Sequence, residues 1–262
     1  MTSNMPHKDA TNVPRELSPH VWGQIPVRAC ADLIGGNGRV ASPIDIQQAA
    51  AGVIRAGGDV IGGDADATTA VSVVDRGQRI TPATNKGIAF GFTNCNCDFT
   101  NSRRWGYEVC IAFADAGATH GFAAGLTSRA SAGVSAYTAN AVFSAGELVT
   151  TNVSFVGFRK DEVDEDIDIL YKTDGSAIPT TAATGLHTTG AATLTDGNFF
   201  KLGMQSNGSV IRFYVDNVQI GVPVDLSDAY LPAEADLIPV FMLYSNGVTT
   251  FDISWMAFAE AN

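Results

Sequence analysis

Charge is scarce in this chain. Of its 262 residues only 16% are Asp, Glu, Lys or Arg, so much of the surface must be Ser, Thr, Asn, Ala and Gly, as suits a protein packed among neighbours. The 16 basic and 27 acidic residues leave a formal net charge of −11, which repels phosphate backbones and anionic bilayers. Nucleic acid and membrane surfaces are therefore not expected as partners. Cysteine is scarce too. Cys30, Cys95, Cys97 and Cys110 are too few and too clustered for the disulfide framework of a small secreted domain, and they read as free thiols in a protein made in a reducing cytoplasm. Cys95, Cys97, Cys110 and His120 can be gathered into a zinc site on paper, but Cys-x-Cys lacks the usual ligand spacer. No metal and no cofactor is expected. Long apolar runs are missing as well: the first twenty residues hold none, and no later segment approaches the roughly 18 uninterrupted apolar residues of a membrane span. The expectation is a protein soluble as made.

What is present divides near residue 60. Residues 1–60 carry Pro6, Pro14, Pro19 and Pro26 among polar residues, with Val21, Trp22 and Ile25 as lone apolar anchors, and read as an extended N-terminal arm. Either the arm is disordered or it orders only against another subunit. Within it, Ser42 as cap, Pro43 at the first helical position and Gly57-Gly58 as a stop predict a short helix over 43–56, although Gly52 weakens it. From residue 61 to 262 the pattern is β. Apolar runs at 68–74, 87–92, 105–113, 122–126, 153–158 and 167–172 recur between Gly, Asn, Asp and Ser clusters. The stretch 180–195, rich in Thr, Ala and Gly, reads as loop or as a pair of small-residue strands. In the C-terminal third, Ser-Asn-Gly at 206–208, Asp216-Asn217 and Ser-Asn-Gly at 245–247 separate apolar runs, giving strand, turn, strand in quick succession. The fold class expected is all-β, two antiparallel sheets packed face to face around one core that includes Phe113, Phe155, Phe213, Val215, Phe241 and Trp255.

The run from Phe200 to Asp216, the strand Leu237-Ile-Pro-Val-Phe-Met-Leu243 and the closing Phe251-Asp-Ile-Ser-Trp255 resemble the end of a concanavalin-like jelly roll. Asn217 stands where that superfamily often has Gly, and Asn tolerates the left-handed backbone the turn needs. The fold so implied hosts lectins, glycosidases and capsid proteins alike. Within it, Val153-Ser-Phe-Val-Gly-Phe-Arg-Lys-Asp161, the polar arm and the low-charge surface are similar to virion structural proteins of tailed bacteriophages. That resemblance implies a capsid decoration or cement protein on the outer surface of the virion, made in the bacterial host cytoplasm. It would be a homotrimer bridging subunits of the major capsid protein, with Val21, Trp22, Ile25 and Arg28 of the arm as partner contacts.

Two other functions compete. Laminarinase-like glycosidases of this fold carry two glutamates and an aspartate alternating on one strand, so that all three reach one face. The run Asp161-Glu-Val-Asp-Glu-Asp-Ile-Asp168 alternates at Glu162, Asp164, Asp166 and Asp168, but the second glutamate is missing and Glu165 falls on the opposite face. A solvated acidic strand or turn, or a weak calcium site, fits the run better, and no catalytic residue is assigned. A carbohydrate-binding module needs exposed aromatics beside polar loop residues. Trp105, Tyr107, Tyr137 and Tyr230 are available, but Trp105 and Trp255 sit in apolar strands as core residues do. A glycan therefore remains a possible ligand. His7, His20, His120 and His187 have no nucleophile at a supporting spacing and read as surface or structural residues.

Overall fold

Period-two alternation governs the backbone after residue 100. The computed structural model of the chain describes residues 29–32, 47–49, 53–56, 59–61, 70–74, 77–81, 86–91, 97, 99, 104–114, 120–128, 143–144, 147–148, 154–161, 165–173, 176, 179–181, 185–233, 237–245 and 250–260. The N-terminal strands are β1 (Ala29–Asp32), β2 (Gln47–Ala49), β3 (Val53–Ala56), β4 (Asp59–Ile61), β5 (Ala70–Val74), β6 (Gly77–Thr81) and β7 (Lys86–Gly91). There follow β8 (Arg104–Phe113), β9 (His120–Ser128), β10 (Phe143–Ser144), β11 (Glu147–Leu148), β12 (Phe155–Lys160), β13 (Asp166–Lys172) and β14 (Leu186–Thr193). The chain closes with β15 (Phe200–Asn207), β16 (Val210–Val215), β17 (Val218–Asp225), β18 (Leu237–Ser245) and β19 (Phe251–Glu260).

Two sheets make the sandwich. One runs β17-β16-β15-β8-β19-β6-β5, with β1 also paired to β19; the other runs β14-β13-β12-β9-β18-β7. Every pairing is antiparallel, with β8 and β9 central. Asp216 and Asn217, at φ 48° and 71°, make the expected two-residue turn between Val215 and Val218. The second Ser-Asn-Gly does not close a hairpin: β18 ends at Ser245 in one sheet and β19 begins at Phe251 in the other, so this connection crosses the sandwich.

Alternation fills the space between the sheets. Tyr107, Val109, Ile111 and Phe113 of β8 face Phe122, Ala124 and Leu126 of β9, and all are buried. Phe113 stacks on Phe122 with ring centroids 5.5 Å apart, and Phe158 meets Phe213 edge-on at 5.9 Å. The Tyr107 hydroxyl donates across the gap to the Val240 carbonyl at 2.8 Å. Of the expected core residues, Phe113, Phe155, Phe213, Val215 and Phe241 are buried; the side chain of Trp255 lies outside the described residues. The faces turned away from this core are covered too. On the six-stranded sheet Phe155, Leu170, Met242, Arg159 and Lys172 are buried, and on the other sheet Glu108, Cys110 and Gln205.

The helix expected over 43–56 is not formed where that range is described. Gln47–Ala49 and Val53–Ala56 are strands of a small sheet ordered β2-β3-β4. The β-branched pair Val53-Ile54 just after Gly52 favours extended backbone over a continued helix. The arm is not wholly separate from the sandwich either, since Ala29–Asp32 pairs with the Ala257–Ala259 end of β19. Val21, Trp22, Ile25 and Arg28 lie outside the described residues.

Candidate functional site

The acidic run begins just after β12 and ends within β13. Asp161 follows β12 and takes a two-pronged ion pair from Arg159, whose Nε lies 2.6 Å from Asp161 Oδ1. Arg159 stands opposite Asp168 in the register of β12 and β13, on the face turned away from the other sheet. Asp166 and Asp168 share that face, as alternation predicts, while Ile167 and Ile169 enter the core. Glu162, Val163 and Asp164 lie outside the described residues, and Glu165 is exposed before the strand begins.

Asp166 and Asp168 are engaged in holding the sheet edge. Strand β14 is irregular against β13, with register shifts on both sides of Ile169. At the irregularity Gly190 turns left-handed, φ 59°, and its N–H donates to Asp168 Oδ1 at 3.0 Å. Thr193 donates its hydroxyl to Asp166 Oδ1 at 2.5 Å. Side-chain carboxylates thus take over where the backbone ladder is interrupted. Among the described residues no three His, Cys, Asp or Glu side chains are grouped as metal ligands.

Of the four residues gathered on paper into a zinc site, Cys95 lies outside the described residues and the other three do not form a group. Cys97 is buried and bridges Leu237 by backbone hydrogen bonds in both directions. Cys110 is buried on the outer face of β8, in register with Lys201. His120 instead enters the core and stacks on Phe113 at 4.3 Å. It is fully buried, and neither ring nitrogen has a hydrogen-bond partner among the described residues. Burial, and then the positive charge of Lys160, lower its pKa from 6.5 to about 3, so the ring is neutral at pH 7. Lys160, also fully buried, donates from Nζ to the His120 carbonyl at 2.6 Å and the Asp161 carbonyl at 2.9 Å. Sequence reading missed this pair because a Lys in an apolar strand normally faces water; the one signal was its even alternation with Val156 and Phe158.

Among the residues whose burial is described, β14 and β17, which end their sheets at one side of the sandwich, are largely exposed or half-buried. Arg212 of β16 stands alone opposite Gly221, Val222 and Pro223, so β17 bulges there. The bulge is tethered to the other sheet. His187 Nε2–H donates to the Val222 carbonyl at 2.7 Å, while its Nδ1 accepts from the Thr188 hydroxyl at 2.8 Å. A Cβ at Gly221 would lie 2.4 Å from His187 Cε1, and its φ of 65° favours glycine. Val218 and Val222 are left 62% and 77% exposed. At the end of β17 Asp225 accepts from Ser227, and in the turn that follows Asp228 accepts from the Tyr171 hydroxyl and the Tyr230 N–H, with Tyr230 45% exposed. Trp105 and Tyr107, by contrast, are core residues.

No protein-family model matches this chain, and no curated protein matches its sequence. Solved structures do. The exoplasmic/lumenal domain of VIP36 in its Ca²⁺-bound form is 13% identical, with a TM-score of 0.50 over 74% of this chain and 82% of that one. A family 16 glycoside hydrolase of Bacteroides ovatus, in complex with a mixed-linkage glucan product, is 12% identical over 80% of this chain and 86% of its own, TM-score 0.44. The carbohydrate esterase vb_24B_21 of the Shiga toxin-encoding bacteriophage phi24B is 13% identical over 77% of this chain and 90% of its own, TM-score 0.40. At such identities the likeness is one of fold. The chain folds as a concanavalin-like jelly-roll sandwich.

Proposed function

We propose that this protein is a non-enzymatic structural component of a bacteriophage virion, a capsid decoration or cement protein that acts through protein contacts at the side and arm of its sandwich. The observation that carries this reading is where the described surface is open. Residues across both outer sheet faces are buried, whereas the edge strand β17 exposes Val218 and Val222. Exposed aliphatic residues on a sheet edge mark protein contact more readily than sugar binding or hydrolysis. The low charge of the chain and the resemblance of its 153–161 segment to phage structural proteins support the same reading. Partners would be the major capsid protein and further copies of this chain as a trimer on the outer shell, where many weak contacts add by multivalency.

One observation favours a second reading. Tyr230, exposed beside Asp225 and Asp228, is the kind of aromatic-polar turn on which a sugar ring stacks, so a lectin-like module is the alternative.

Co-sedimentation with capsids and binding to a glycan panel separate the two. The doubly substituted Val218→Asp, Val222→Asp chain should lose at least tenfold in capsid association with its circular dichroism unchanged, and Tyr230→Ala should attach like wild type. Specific glycan binding abolished by Tyr230→Ala, in a protein that never sediments with capsids, refutes the structural reading.

A further inference from the structure

The last residue of β12 and the first of β9 meet inside one end of the sandwich. Lys160 and His120 are in adjacent register with Phe122 and Ser245, and both side chains are fully withdrawn from solvent. Neither belongs to the side proposed above as a contact surface. Each is anomalous alone. A buried ammonium is costly unless it is hydrogen-bonded, and Lys160 meets that demand partly through the carbonyl of His120 itself. A buried imidazole without partners forfeits its hydrogen bonds to water, and His120 does so against the face of Phe113.

We propose that His120 and Lys160 form an acid-released latch that holds this end of the sandwich closed at neutral pH and opens it locally on acidification. Protonating His120 would put a positive charge on a ring withdrawn from solvent against Phe113 and leave two ring N–H donors unpaired. The ring escapes this by leaving the core, which requires fraying only at the first residue of β9. Once the His120 backbone moves, Lys160 loses an acceptor and follows, and the Asp161 backbone is drawn with it. Phe113 stacks on the ring, and among the described residues Lys160 is a charged group that acts on it. Asp115, Glu162 and Asp164 lie outside the described residues.

The direction follows from linkage. The histidine takes its proton near 6.5 when open and near 3 when closed. The closed end is therefore fully favoured above pH 6.5 and loses its advantage progressively as pH falls toward about 3, by about tenfold per pH unit.

Hydrogen exchange of the full chain between pH 7.5 and 4.5, corrected for intrinsic rates, tests the latch. Protection of peptides spanning 120–124 and 156–161 should fall by about tenfold per pH unit below pH 6.5, while the centre of β8 and β15 stays protected. His120→Phe keeps the ring stack but cannot titrate, and should make the end indifferent to pH. The same pH dependence in His120→Phe would overturn the proposal. If that variant does not fold, the wild-type chain still decides: ends that lose protection only in step with the centre, or not at all, exclude a local latch.

Discussion

At the scale of single residues, space and unpaired groups decide what is tolerated. Gly125 and Gly157 face each other across β9 and β12, and a Cβ at Gly125 would lie 2.1 Å from the Val156 carbonyl oxygen and 2.8 Å from Gly157 Cα. These are backbone atoms of a central strand pair and cannot turn aside as a side chain can. Gly125→Ala should therefore cost about 3 kcal/mol, the upper end for overpacking, and lower Tm by roughly 6–12 °C in a domain of this size. Differential scanning calorimetry checks it, and an unchanged Tm would mean that the two strands have room to part. Tyr107→Phe is a subtler test. It deletes the hydroxyl bonded to the Val240 carbonyl without opening a large cavity, so about 1–2 kcal/mol should be lost in urea unfolding. None of this was visible in the sequence, where Gly125 and Gly157 are two glycines among 27.

At the scale of elements, the acidic hairpin is the informative case. Alternation correctly put Asp166 and Asp168 on one face of β13, but what their carboxylates do depends on β14, a strand some twenty residues later in the chain. Asp168→Ala should loosen β14 and raise proteolytic nicking within 186–193, with the rest of the sandwich intact. Asp166→Asn should leave no deficit in any assay of β-glucan or galactan hydrolysis, because no such activity is expected of the wild type. Measurable hydrolysis that this substitution removes would restore the glycosidase reading. The other sheet carries its own reinforcement inside its β5 edge: Arg79 of β6 donates Nε and Nη2 to the two carboxylate oxygens of Asp252 in β19 at 2.8 and 2.9 Å, at paired positions of the ladder. Being partly exposed, that pair contributes little to stability.

At the scale of the whole molecule, one core binds the two sheets, and β1 is paired to one of them. Phe213 reaches Phe158 across the gap, so Phe213→Ala should cost about 3–5 kcal/mol and, if unfolding is two-state, lower the denaturation midpoint of every probe together. Removing residues 1–40 deletes β1 and uncovers the Ala257–Ala259 end of β19. The truncated chain should keep a strand-dominated circular dichroism spectrum while losing capsid attachment. Attachment that survives the truncation would take the arm out of the proposed mechanism.

What the sequence determined by itself was local: strand periodicity, the left-handed turn at Asp216-Asn217, and aromatic residues numerous enough to fill a sandwich. Those features depend on neighbours within a few positions, and local propensity speaks for them directly. Where it failed, at 43–56, a helix cap and a glycine stop competed with β-branched residues, and only pairing among β2, β3 and β4 decided between them. Tertiary structure alone decided which sheet each strand entered, that the connection after Ser245 crosses between sheets, that Asp166 and Asp168 bond to β14, and that His120 and Lys160 lie buried together. Each of these follows from contacts between residues far apart in the chain, which periodicity does not encode.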